Sequence, residues 1–147
     1  MTGRSGAGFG RRFAALLYDG LLLFALLMIY TAVALAFTPG HMALSTRSSG
    51  GWFYAYRAGE VALIGGYYVL NWTRSGQTLG MRAWRLRLID VAGRTPTVRA
   101  AVLRFLWGFL AWPPAGLGVL WLYWDKDRLA VHDRFSGTRV VRLTRAA

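Results

Sequence analysis

Residues 12–37 read RFAALLYDGLLLFALLMIYTAVALAF, and from Phe13 to Phe37 the single charged side chain is Asp19. At about 1.5 Å per helical residue, a run of that length spans the roughly 30 Å of bilayer hydrocarbon. The stretch therefore predicts a first transmembrane helix over 13–37. A cleaved signal peptide is the rival reading. Arg4, Arg11 and Arg12 could form its basic start, Ala34-Leu35-Ala36 imitates a cleavage site, and Gly10-Arg11-Arg12-Phe13 hints at a twin-arginine signal. Against it, the run exceeds the roughly 7 to 15 residues of a signal core, which has no use for an internal carboxylate.

Asp19 lies two helical turns after Arg12, so both fall on one face, about 10 Å apart along the axis. A carboxylate in hydrocarbon costs at least a few kcal/mol, so it should face protein and find a cation or donors, or else take up a proton. Arg12, Arg104 and the basic C-terminal segment are the candidate partners. Locking helices together and carrying protons or ions both remain open as roles for such an acid.

The rest of the chain extends this pattern. Of 147 residues 55% are hydrophobic and 15% aromatic, gathered in long blocks that suit a bilayer better than a soluble core. The formal charge of +12 could suggest nucleic acid, but the arginines flank the apolar blocks and no RNA- or DNA-reading motif accompanies them. Nucleic acid is therefore not an expected partner. With no cysteine, disulfides, thiolate nucleophiles and Cys-based metal sites are excluded.

Thr38 to Gly51 is polar and reads as an external loop, in which the lone His41 is a solvated residue. Trp52 to Trp72 is the second predicted span, with tryptophans at both ends. Within it Arg57 and Glu60 stand three apart, close enough to pair, and Ala58, Ala62 and Gly66 form a small-residue packing stripe. Glu60 also offers a second acid at a different depth from Asp19. Residues 73–99 form a strongly basic loop, placed in the cytoplasm by the positive-inside rule, as is the arginine-bearing N-terminus. There Trp84, Leu86 and Leu88 alternate with Arg85 and Arg87, a strand pattern ending at a turn around Ala92-Gly93. A second strand is expected over Thr138 to Leu143, pairing with the first in a small hairpin-like sheet against the membrane face.

The third apolar block, 100–124, starts near Arg104 and is interrupted at Pro113-Pro114. A single crossing would put the basic tail 125–147 outside, so a broken helix that dips in and returns is favoured. In that tail Asp125, Asp127, His132 and Asp133 could be imagined around a metal, but Lys126, Arg128 and Arg134 would repel it. Ion pairing is expected there, with no metal. No nucleophile elbow, phosphate loop or zincin helix is present, so neither catalytic residues nor a cofactor are expected.

These features together resemble the RDD family of bacterial and archaeal membrane proteins, named after one arginine and two aspartates. Arg12 through Asp19 resembles its opening R…D helix, and Gly76-Gln77-Thr78-Leu79-Gly80-Met81-Arg82 resembles its G-x-T-x-G-[KM]-R loop. Arg104 stands where the family's third block begins. His132-Asp133, followed by Gly137-Thr138, is similar to the closing H-D-x-x-x-[AG]-T element, which carries the third namesake residue onto Asp133. The resemblance covers nearly the whole chain and implies a transport-type protein, with exchange of a monovalent cation for protons proposed for some members.

The sequence thus predicts an all-α membrane protein: one domain over 1–147, about three apolar blocks and a small cytoplasmic sheet. It is expected to be multi-pass in the bacterial cytoplasmic (inner) membrane, with its N-terminus in the cytoplasm. The expected site groups Arg12, Asp19 and Asp133, supported by Arg104, Glu60, Arg57, Gln77, His132, Gly137 and Thr138. Three blocks cannot line a path alone, so transport would need a homo-oligomer or a partner membrane subunit. The alternative is a structural or lipid-binding module, gripping anionic phospholipid at the cytoplasmic face, or an assembly partner of a larger complex.

Overall fold

The computed structural model describes residues 8–37, 51–110 and 136–143. Four helices and two strands follow in chain order: α1 Phe9–Phe37, α2 Gly51–Arg74, α3 Leu79–Ala83, β1 Leu86–Asp90, α4 Val98–Leu110 and β2 Thr138–Arg142. The chain divides into two compact units, Met1–Asp19 with Tyr68–Ala147, and Gly20–Tyr67.

Leucine, alanine and phenylalanine dominate α1, which starts one turn earlier than the sequence suggests, at Phe9, and takes in both Arg11 and Arg12. Its apolar side chains point outward: Leu21 is 72% exposed and Phe24 65%. A core helix of a soluble protein would bury them. Three membrane-type blocks were expected. Among the described residues, α1 alone is long and apolar enough to cross a membrane. At 24 residues α2 has the length, but Arg57, Glu60, Asn71 and Arg74 dilute its apolar character. Of the third block the structure describes only α4; Pro113-Pro114 and the expected break lie outside the described residues. The helix starts at Val98 because Thr97 caps it, its hydroxyl accepting the Ala100 N–H at 3.3 Å.

The basic loop proves to be built, not merely polar. After α2, Gly76 turns left-handed at φ 69°, its N–H returning to the Trp72 carbonyl at 3.1 Å. Thr78 then caps α3, and β1 follows. A turn at Asp90–Gly93 ends the strand where expected, with the Gly93 N–H on the Asp90 carbonyl at 3.1 Å. Asp90 is further engaged by Arg94, whose backbone N–H it accepts at 2.8 Å.

The two strands pair antiparallel, Leu88 opposite Val140 and Ile89 opposite Arg139. They are not consecutive in the chain, since α4 lies between them, so the sheet is not a sequence hairpin. Leu86, Leu88 and Val140 face Ala15 of α1 and Met81 of α3, with Trp72 packed against them. Trp84 does not join Leu86 and Leu88 on that face. It ends α3, its N–H returning to the Gly80 carbonyl at 3.3 Å, and is 41% exposed. Ile89 and Val141 are buried on the sheet's other face, which breaks the simple alternation.

In the unit Gly20–Tyr67, α1 and α2 meet through Tyr30 and Tyr56, whose rings stack at 5.3 Å. The Tyr30 hydroxyl donates to the Tyr56 carbonyl at 3.1 Å, and Tyr56 and Thr31 share a hydroxyl contact of 2.7 Å. Gly59 provides the room, because a Cβ there would stand within 2.8 Å of the Tyr30 ring. The close approach is thus at Gly59, off the stripe of Ala58, Ala62 and Gly66; a Cβ at Gly66 would meet nothing within 4 Å.

Candidate functional site

Asp19 is 3% exposed. Its Oδ2 accepts the Thr78 hydroxyl at 2.5 Å and its Oδ1 accepts the Gly80 N–H at 2.8 Å. Thr78 does two things with one oxygen: it donates to Asp19 and accepts the Met81 N–H at 3.2 Å, the N-cap bond of α3. Asp19 in turn takes Gly80's N–H, one of the amide donors that every helix start leaves without an intrahelical partner. Hydrogen bonds to a charged acceptor contribute about 1.5–3 kcal/mol each. Together they clasp α1 to the start of α3.

The clasp also requires the absence of a side chain. A Cβ at Gly80 would collide with the Ala15 carbonyl oxygen and stand 2.9 Å from Asp19 Cγ, so only glycine lets the α3 backbone come this close to α1. Gly76 carries a similar constraint: besides its left-handed φ, a Cβ there would lie 2.7 Å from the Leu88 carbonyl oxygen. Gln77 donates from Nε2 to the Leu86 carbonyl at 2.6 Å. The whole segment Gly76–Met81 is thereby tied to α1 on one side and β1 on the other.

The remaining expected residues fall into three places. Arg12 reaches the sheet, its Nη2 3.4 Å from the Val140 carbonyl, near the limit of a hydrogen bond. Arg104, 6% exposed on α4, donates from Nη1 to Thr138 Oγ1 at 2.8 Å, and its guanidinium lies over the Trp72 ring at 5.4 Å. Ser136 completes this group, its hydroxyl 2.7 Å from that of Thr138. Gly137 precedes β2 in the left-handed region at φ 62°. Arg57 and Glu60 pair at 2.6 Å in the other unit, and Arg57 lies over the Phe53 ring at 5.4 Å. His41, Asp125, Asp127, His132 and Asp133 lie outside the described residues.

Thr78 and Gly80 as the donors to Asp19, and Ser136 and Trp72 as neighbours of the Arg104 group, were not read from the sequence. A signal existed for Thr78: a threonine closing a polar stretch just before Leu79 and Met81 is an N-cap pattern. What it would hold besides its own helix had no local signature.

The site thus combines a carboxylate in the first turns of a membrane-length helix, a glycine-threonine-glycine loop that grips it, and a buried arginine on α4 bonded to Thr138 of the last strand. Residues 6–137 match the sequence model of the RDD family. The chain belongs to the RDD family. With its long outward-facing apolar helix, this RDD chain is a membrane protein. It is similar to an uncharacterized protein of Rickettsia prowazekii (strain Madrid E), 28% identical over 86 residues, which cover 58% of this chain and 47% of that one. The aligned stretch therefore spans about half the length of that relative. No solved structure matches the chain.

Proposed function

We propose that this RDD protein is a scaffolding membrane module. It is multi-pass in the bacterial cytoplasmic membrane with its N-terminus inside, and the Asp19 clasp holds the start of α1 to α3 beside a small cytoplasmic sheet. The observation that carries this reading is the state of Asp19: buried, with one oxygen on Thr78 and the other on Gly80. A carrier of ions or protons needs an acid that exchanges partners with water. An acid fixed between a helix cap and a glycine amide is suited to holding elements together. The uncharged part of α1, Gly20–Phe37, rises about 27 Å, close to the hydrocarbon thickness of about 30 Å, which supports a position for the clasp at the membrane boundary.

Transport is the second reading, favoured by Asp19 and Arg104 both being buried ionisable groups in one unit of a membrane protein. In it, protonation of Asp19 is coupled to binding a monovalent cation, in a homo-oligomer or with a partner subunit. Reconstituted vesicles decide between the two. The scaffold reading expects Asp19→Asn to lower thermal stability and expects the wild type to move no protons in response to a cation gradient. Cation-dependent proton flux in the wild type, lost in a stably folded Asp19→Asn protein, would overturn it.

A further inference from the structure

We propose that the exposed arginines of the sheet's second face, Arg85, Arg87 and Arg139, bind the phosphate of anionic phospholipid headgroups. The proposal rests on the membrane residence argued above and names the partner of the scaffold.

In the antiparallel register Arg87 opposes Val141 and Ile89 opposes Arg139, which sets Arg87 and Arg139 on one face as diagonal neighbours. Both are exposed, although Ile89 and Val141 on the same face are buried, and the opposite face packs on Ala15 and Met81. The direction of Arg87 is constrained. Its Cγ and Nε run 3.3 Å from the place a Cβ at position 76 would take, so the glycine there leaves a channel for the arginine stem.

Arg85 is the third member and the most informative. Its φ of 54° is left-handed, the region that glycine enters without strain, and it is the one non-glycine residue with positive φ among the described residues. The position just after α3 is where a glycine usually ends a helix. An exposed arginine stands there instead, its backbone tied by the Leu143 N–H on its carbonyl at 2.9 Å. Backbone strain retained at an exposed charge points to a use for the charge.

The acid on this sheet does not neutralise the face, since Asp90 is engaged by Arg94. Among the described residues no carboxylate forms a salt bridge with Arg85, Arg87 or Arg139. Beside them Trp84 and Leu143 are 41% and 40% exposed. Guanidinium forks bind phosphate, and an indole with an aliphatic neighbour settles where water meets hydrocarbon. That combination fits a lipid headgroup better than a soluble polyanion.

The test uses the full chain reconstituted in phosphatidylcholine vesicles containing a minor fraction of phosphatidylglycerol. Flotation of the protein with the vesicles after alkaline washing is measured first, then the ratio of the two lipids retained on the extracted protein by native mass spectrometry. The wild type should float and retain phosphatidylglycerol several-fold above its bulk share. Arg87→Gln with Arg139→Gln should lower that enrichment to near the bulk ratio. Arg85→Gly should raise the melting temperature, by relieving strain, and yet lower the enrichment. That opposite movement is not expected of a purely structural residue, and this variant keeps the test valid where the double substitution fails to fold. Protein that floats with lipid at the bulk ratio, enrichment unchanged in the variants, or displacement of the lipid by a single-stranded oligonucleotide would each overturn the proposal. Failure to float would instead sink the membrane reading on which it rests.

Discussion

The hydroxyl of Thr78 donates to the carboxylate of Asp19 at 2.5 Å across 59 positions of sequence. Replacing Asp19 by Asn turns one acceptor into a donor that meets either the hydroxyl or the Gly80 amide. The expected loss is about 1–3 kcal/mol, read from chemical denaturation in detergent micelles. A double-mutant cycle with Thr78→Val should give a coupling of about 1 kcal/mol or more. Strict additivity would mean that the two side chains do not work as a pair.

Two glycines separate close packing from mere helix flexibility. Gly80→Ala should cost about 1–3 kcal/mol, since the Ala15 carbonyl is backbone and cannot swing away. Gly66→Ala meets nothing within 4 Å among the described residues and should be neutral or stabilise α2 by up to about 1 kcal/mol. Melting temperatures of the two variants side by side check this, and equal effects would contradict the geometry.

Asparagine tolerates left-handed backbone but still has a Cβ. At Gly137, φ 62° with nothing within 4 Å of a Cβ among the described residues, Asn should be accepted with little change; at Gly76, where the Leu88 carbonyl would stand 2.7 Å from the Cβ, it should destabilise. Thermal unfolding of Gly137→Asn and Gly76→Asn is the comparison, and a tolerated Gly76→Asn would show that the β1 backbone can yield.

Much of this was legible because it is written locally. The apolar run after Asp19, the strand of Leu86 and Leu88, and the turn at Gly93 follow from composition and period two. The extra helix α3 was hidden, since five residues are too few to show a period of 3.6. Its presence displaced Trp84 from the sheet face. Two donors to Asp19 were also hidden, because charge draws attention to arginine, and neither the Thr78 hydroxyl nor the Gly80 amide carries charge. Arg12 also extends to the Val140 carbonyl, a contact that neither segment announces. Pairings between segments distant in the chain leave no trace in either segment alone.

The helical pair of the second unit offers a further check. Gly59→Ala should push the Tyr30 ring off α2 and loosen the hydroxyl contacts at Tyr56. Since the clash is with that ring, Gly59→Ala combined with Tyr30→Ala should cost less than the sum of the two single changes. Proteolysis rates of the four proteins in micelles measure this, and simple additivity would argue that Tyr30 and Gly59 are not in contact.

The separation of Asp19 from Thr78 also sets a timetable. Ribosomes add roughly 5–20 residues per second, so the 59 positions between them correspond to roughly 3–12 s of translation. Throughout that interval the Asp19 carboxylate lacks the two donors that later hold it. Val140, which Arg12 approaches, lies 128 positions further along and arrives later still. An early helix is therefore finished late, its lower turns secured only when β2 has been made.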